Sequence, residues 1–168
     1  MRTGSAGFTV LEALIVMALI GILAAIAVPS FGYLSANTKV KGASTELYLA
    51  LIRARSESVK RNRVAGVVAI SGDEDDWQAG WRVIADASSP PDHDLDDADD
   101  RVVYEQGPLP RVTITMAADN VQFRPTGRVI GAAPEFNVVS QDPDHAGIKR
   151  CVSADLTGRP YIKPEACP

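Results

Sequence analysis

Apolar residues run almost without interruption from Phe8 to Val28, and Glu12 is the only charge in those 21 positions. A helix of that length, at about 1.5 Å per residue, matches the hydrocarbon thickness of a bilayer. Beyond it the pattern becomes periodic. Val40, Ala43, Leu47, Ala50 and Ala54 recur at spacings of three and four, while Lys39, Lys41, Arg53, Arg55, Lys60 and Arg61 fall largely off that stripe. The pattern predicts an amphipathic helix that packs one face on a domain. Between the halves, Pro29 has no N–H to give to the carbonyl of Ala25, and Gly32 follows, so a kink or melting point is expected there. A helix spanning 8–62 would be on the order of 80 Å long, rare in an ordinary globular protein.

From Arg63 the period shortens to two. Val64–Ile70, Gly80–Ala85, Val102–Glu105, Val112–Met116, Val121–Arg124, Phe136–Ser140, Ile148–Ser153 and a last piece near Tyr161 read as short strands between turn signals. Alternation is clearest in Arg111–Met116 and Val121–Arg124, the signature of sheet with one buried and one wet face. The expected fold is α+β, a long N-terminal helix laid on an antiparallel sheet. Its parts are a leader at 1–7, the helix at 8–62 (apolar over 8–28, amphipathic over 33–62) and a β-rich domain at 63–168.

Composition changes this picture little, but charge does. The chain has 168 residues and a formal net charge of −4. Residues 73–100 carry 11 of the 21 acids and one base, Arg82, so this segment is net −10 and the rest of the chain is net +6. The overall sign therefore says little about partners.

On residues alone, the apolar segment has three readings: a membrane helix, a buried core helix, or a secretory signal with Arg2 as its basic region and Ala25-Ile26-Ala27 as a small-x-small cleavage site. Glu12 separates them. A lone carboxylate in an apolar helix costs roughly 2.5 to 3.5 kcal/mol at the bilayer centre, and less near an interface, so it is retained mainly where a partner charge offsets the cost. A signal peptide gains nothing from it. Cleavage after Gly7 would give Phe8 a free α-amine, and such an amine could pair with Glu12 in its own chain or a neighbouring one.

The string Gly7-Phe8-Thr9-Val10-Leu11-Glu12, followed by the apolar run and Pro29, resembles the prepilin signature of type IV pilins and type II secretion pseudopilins. The resemblance implies a prepilin peptidase cutting between Gly7 and Phe8, N-methylation of Phe8, and Glu12 setting register against the amine of an adjacent subunit. It also implies a single-pass inner-membrane protein with its C-terminal domain in the periplasm, in contact with lipid and with other pilins or pseudopilins through the N-terminal helix. Within that superfamily the domain is similar to the GspH/FimT group. Ala54–Asn62, Gly80-Trp81 followed by Val83, Phe123-Arg-Pro-Thr-Gly127, and Cys151–Arg159 are the segments that carry the likeness. The group's members prime or cap a pilus or pseudopilus, and some are DNA receptors for natural transformation.

A periplasmic domain with two cysteines, Cys151 and Cys167, in its last 18 residues is expected to join them as one disulfide, free thiols being the alternative. Lys149, Arg150, Arg159 and Lys163, with Tyr161 among them, could line an edge that contacts the phosphates and bases of double-stranded DNA. The plainer reading is an edge strand protected by charge. Gly158-Arg159-Pro160-Tyr161 keeps the first half of the Gly-Arg-x-Arg motif of DNA-receptor members and lacks its second arginine.

Asp92, Asp94 and Asp96 have the first spacings of a calcium loop, but Asp97 stands where glycine is needed and Val103 where glutamate is needed. A solvated acidic loop over 92–100 is expected instead, with no metal. Neither histidine, His93 or His145, lies in a catalytic pattern, and the chain lacks a nucleophile elbow, a phosphate-binding glycine loop and an HExxH motif. The sequence predicts no enzyme and no cofactor.

Overall fold

The structure, a computed structural model, describes residues 8–88, 95 and 100–168, apart from the side chains of 25–30. Gly7 and most of the acidic loop 92–100 lie outside the described residues. The chain divides into two compact units, Met1–Ser35 and Ala36–Pro168.

Helix α1 spans Val10–Arg61. Thr9 opens it: its hydroxyl accepts the Glu12 N–H at 3.2 Å, and its carbonyl accepts the Ala13 N–H. This is an N-cap with an acid at the third helical position, where the helix dipole favours negative charge. Asn62 closes α1 in the left-handed region at φ 54°. The Arg63 N–H reaches the carbonyl of Ser58, and the Asn62 N–H that of Val59. These two bonds form a Schellman cap, with asparagine in the place glycine usually takes. α1 is helical through Pro29 and Gly32. The side chain of Pro29 lies outside the described residues.

In the second unit the predicted stripe becomes the core. Val40, Ala43, Leu47, Ala50 and Ala54 are all buried, together with Leu51. They share one cluster with Val67, Trp77, Trp81, Val83, Ile114, Phe123, Phe136, Val138 and Val152.

Among the described residues eight strands follow: β1 Ala65–Ala69, β2 Trp81–Ala85, β3 Arg101–Gln106, β4 Val112–Thr115, β5 Asn120–Phe123, β6 Glu135–Ser140, β7 Lys149–Ala154 and β8 Pro160–Lys163. Every pairing is antiparallel. The strands divide into two four-stranded sheets, ordered β3-β2-β1-β5 and β4-β6-β7-β8. A 3-10 turn, Trp77–Ala79, joins them. The Trp77 indole donates to the carbonyl of Ala118 at 3.0 Å, and the Gln78 side-chain oxygen accepts the Ile114 N–H at 2.9 Å. Trp77 also meets Phe136 edge to face, with centroids 4.8 Å apart.

On the far side of the first sheet, Leu95 is buried with Val64 and Ile84, and Val68 and Ile130 pack against them. Gly66 makes room for it. A β-carbon there would stand 2.6 Å from Leu95 Cδ1 and 2.5 Å from the carbonyl oxygen of Val121. Leu95 itself is thus packed on the sheet.

Candidate functional site

In the first unit, the described helical surface is apolar and exposed. Phe8 is 81% exposed and Val10 80%, and Leu11, Leu14, Ile15, Met17, Leu19, Ile20, Ile22 and Leu23 are exposed as well. Isolated exposed apolar residues are ordinary, but a continuous run of them marks an interaction or membrane surface. Among the described residues no helix is long and apolar enough to cross a membrane; the described run stops at Ala24. Glu12 is exposed within this run, at the capped first turn. Among the described residues its carboxylate has no ion-pair partner.

At the other end of α1, three segments far apart in sequence converge. The Arg55 guanidinium donates to the Thr157 carbonyl at 3.3 Å. Two glycines with positive φ, Gly127 (76°) and Gly158 (83°), sit back to back beside it. A β-carbon on Gly158 would fall 1.8 Å from the Gly127 oxygen, so only glycine permits the approach. The Asp155 carboxylate organises the second turn by accepting the Thr157 hydroxyl and the Arg159 N–H. These bonds, the Thr157 hydroxyl's first, hold the Asp155 carboxyl below its usual range. On α1, Glu57 pairs with Arg61 and Lys60. The hydrogen bond from Arg61 is the main reason its carboxyl titrates below the usual range, against an opposing push from burial. Each of the helix-exit, Phe123–Gly127 and Cys151–Arg159 segments contributes one side of this junction.

The five residues read as a DNA edge do not share one face. Lys149, Tyr161 and Lys163 lie on the outer face of the second sheet, because Cys151 pairs with Lys163 and Ser153 with Tyr161. Lys163 Nζ stands 5.4 Å from the Tyr161 ring centre. Arg150 has the parity of Val152 and Ala154, and so belongs to the core-facing side. Arg159 is exposed in the turn before β8. No finding favours duplex DNA as a partner.

Cys151 and Cys167 form the expected disulfide. The Cys167 N–H also donates to the Asn137 side-chain oxygen at 2.8 Å, which lays the C-terminal tail over the outer face of β6 and β7. Among the described residues no group of acids, histidines or cysteines is arranged to hold a metal ion.

A capped helix with an exposed apolar first half and a second half packed on antiparallel sheets defines the pilin-like class of α+β subunits. Residues 43–158 match the family model of the type II transport protein GspH, and residues 2–28 match the prokaryotic N-terminal methylation motif. The chain belongs to the GspH family. The type IV minor pilin FimU of Pseudomonas aeruginosa strain PAO1 is similar in fold, with a TM-score of 0.60, 20% identity, and coverage of 76% of this chain and 90% of FimU. The minor pseudopilin EpsH from the type 2 secretion system of Vibrio cholerae is also similar, with a TM-score of 0.53, 13% identity, and coverage of 75% and 97%. No curated protein matches the chain significantly in sequence.

Proposed function

We propose that this chain is a minor pilin or pseudopilin, a structural subunit that primes or caps a type IV pilus or a type II secretion pseudopilus. The observation that carries the reading is the exposed apolar helix with a single carboxylate in its capped first turn, within a segment that matches the methylation motif. Such a helix is unstable in water and stable only in lipid or among other helices. A prepilin peptidase cuts after Gly7 and methylates Phe8. The protein then waits in the inner membrane with residues 63–168 in the periplasm. On assembly, Glu12 pairs with the N-terminal amine of a neighbouring subunit, which offsets the cost of carrying a carboxylate into an apolar bundle. Pro29 and Gly32 let the helix bend as it leaves the bilayer.

The test is N-terminal sequencing of native protein together with Glu12→Ala. N-methylphenylalanine at position 8 is expected, with the variant inserted in the membrane at normal level and its recovery in sheared filaments reduced at least about tenfold, the factor that 1.4 kcal/mol represents. A mature start near Val28, or normal incorporation of Glu12→Ala, refutes the reading.

A further inference from the structure

Strand β5 is an edge of the first sheet, and among the described residues half of that edge is open. Its odd-numbered residues face β1: Val67 pairs with Val121, Ala65 with Phe123, and the Ala69 N–H reaches the Asp119 carbonyl. The even-numbered residues therefore point their N–H and C=O groups outward. At the top of the edge the returning chain satisfies them, since the Arg124 N–H reaches the Arg128 carbonyl and the Ile130 N–H reaches the Gln122 carbonyl. At Gly131, φ 82°, the chain turns away. Among the described residues nothing then takes the Gln122 N–H or the N–H and C=O of Asn120.

These three groups line a groove of about 690 Å³ whose walls include Met116, Ala118, Ile130, Ala132 and Pro134. Two of the other edges, those of β4 and β8, are closed differently. Along β4, Gln78 takes the Ile114 N–H and the Glu74 carbonyl takes the Met116 N–H. β8 begins with Pro160, which has no N–H, and ends with a lysine, two devices that discourage pairing.

We propose that the Asn120–Gln122 edge is a strand-addition site for an extended segment of another protein. That segment would carry small apolar side chains toward Ala118 and Ala132 and exchange backbone hydrogen bonds with Asn120 and Gln122. A row of outward backbone groups between apolar walls is complementary to an extended peptide: the main chain supplies affinity and the groove selects side-chain size. The site is independent of Glu12 and of filament entry, so it stands or falls apart from the proposed assembly role.

The test uses the full chain in lipid nanodiscs and a synthetic heptapeptide of alternating valine and threonine. The control is the same peptide N-methylated at alternate residues, which leaves the side chains but removes the donors. Hydrogen exchange of the Asn120 and Gln122 amides is the readout. The valine-threonine peptide is expected to slow exchange at Gln122 roughly tenfold, about one hydrogen bond's worth, with the control having no effect. Ala132→Trp, on an exposed loop, should abolish the protection while leaving exchange in β1 and β7 unchanged. Equal protection by the N-methylated peptide, or none by either, overturns the proposal. Protection that appears without peptide and rises with protein concentration also overturns it, by assigning the groove to a second copy of the chain.

Discussion

The junction at the end of α1 makes a graded prediction from three glycines with nearly equal φ. Gly131, Gly127 and Gly158 lie at 82°, 76° and 83°, so alanine at each carries the same left-handed cost of roughly 1 to 2 kcal/mol. They differ in what a β-carbon meets. At Gly131 there is nothing within 4 Å; at Gly127 the neighbours are Arg55 Nε and Val59 Cγ2, both at 3.1 Å; at Gly158 it is a backbone oxygen at 1.8 Å. Side-chain ends give way by a few tenths of an ångström, but a backbone oxygen does not. The two turns must then separate, losing the bond from Arg55 to Thr157 and the packing around it, about 1 to 2 kcal/mol more. The expected losses are therefore about 1, about 1.5 and about 3 kcal/mol for Gly131→Ala, Gly127→Ala and Gly158→Ala. Urea unfolding of residues 36–168, which contain every buried hydrophobic residue among those described, measures them. If Gly158→Ala costs no more than Gly131→Ala, the back-to-back packing is refuted.

Other outcomes follow from features already described. Reduction of Cys151–Cys167, or replacement of both by serine, should cost about 3 kcal/mol, the chain-entropy value for a loop of roughly 15 residues; a urea midpoint indifferent to reductant contradicts this. Asp155 and Glu57 both titrate below their ordinary values of 3.8 and 4.5, so each contributes stability that is complete above those values and lost as pH falls through the lower folded-state value. The unfolding midpoint should therefore drop on acidification below about pH 4.5, and less steeply in Glu57→Gln; identical pH profiles for wild type and Glu57→Gln would remove Glu57 from the account.

Local pattern was enough to read α1 and all eight strands, because spacing alone reports which face of an element is buried. Partner choice is not local. Alternation assigns Val121 and Phe123 to one face of β5 but cannot say that β5 pairs with β1, across more than 50 positions, while β4 joins the other sheet. The spread of the five basic-edge residues was recoverable: Lys149 and Arg150 are adjacent in a strand and must face opposite ways. Leu95 was the missed signal in the acidic segment. A single large apolar residue among aspartates has no reason to stay in solvent, and Gly66, mid-strand with no turn to serve, is its counterpart. The Gly127–Gly158 contact was hidden because each glycine looks like an ordinary turn until both turns are placed together.

The Schellman cap and the Arg55 junction also bear on how the subunit would carry tension. Force drawn along α1 reaches the sheets through the buried stripe from Val40 to Ala54 and through the bridge from Arg55 to Thr157. These contacts lie side by side along the helix, so a pull slides them together in shear instead of peeling them one by one. The last turn is held by the two capping bonds at Asn62 and Arg63. A pull on the helix is therefore expected to load these contacts together, so that they fail in one step.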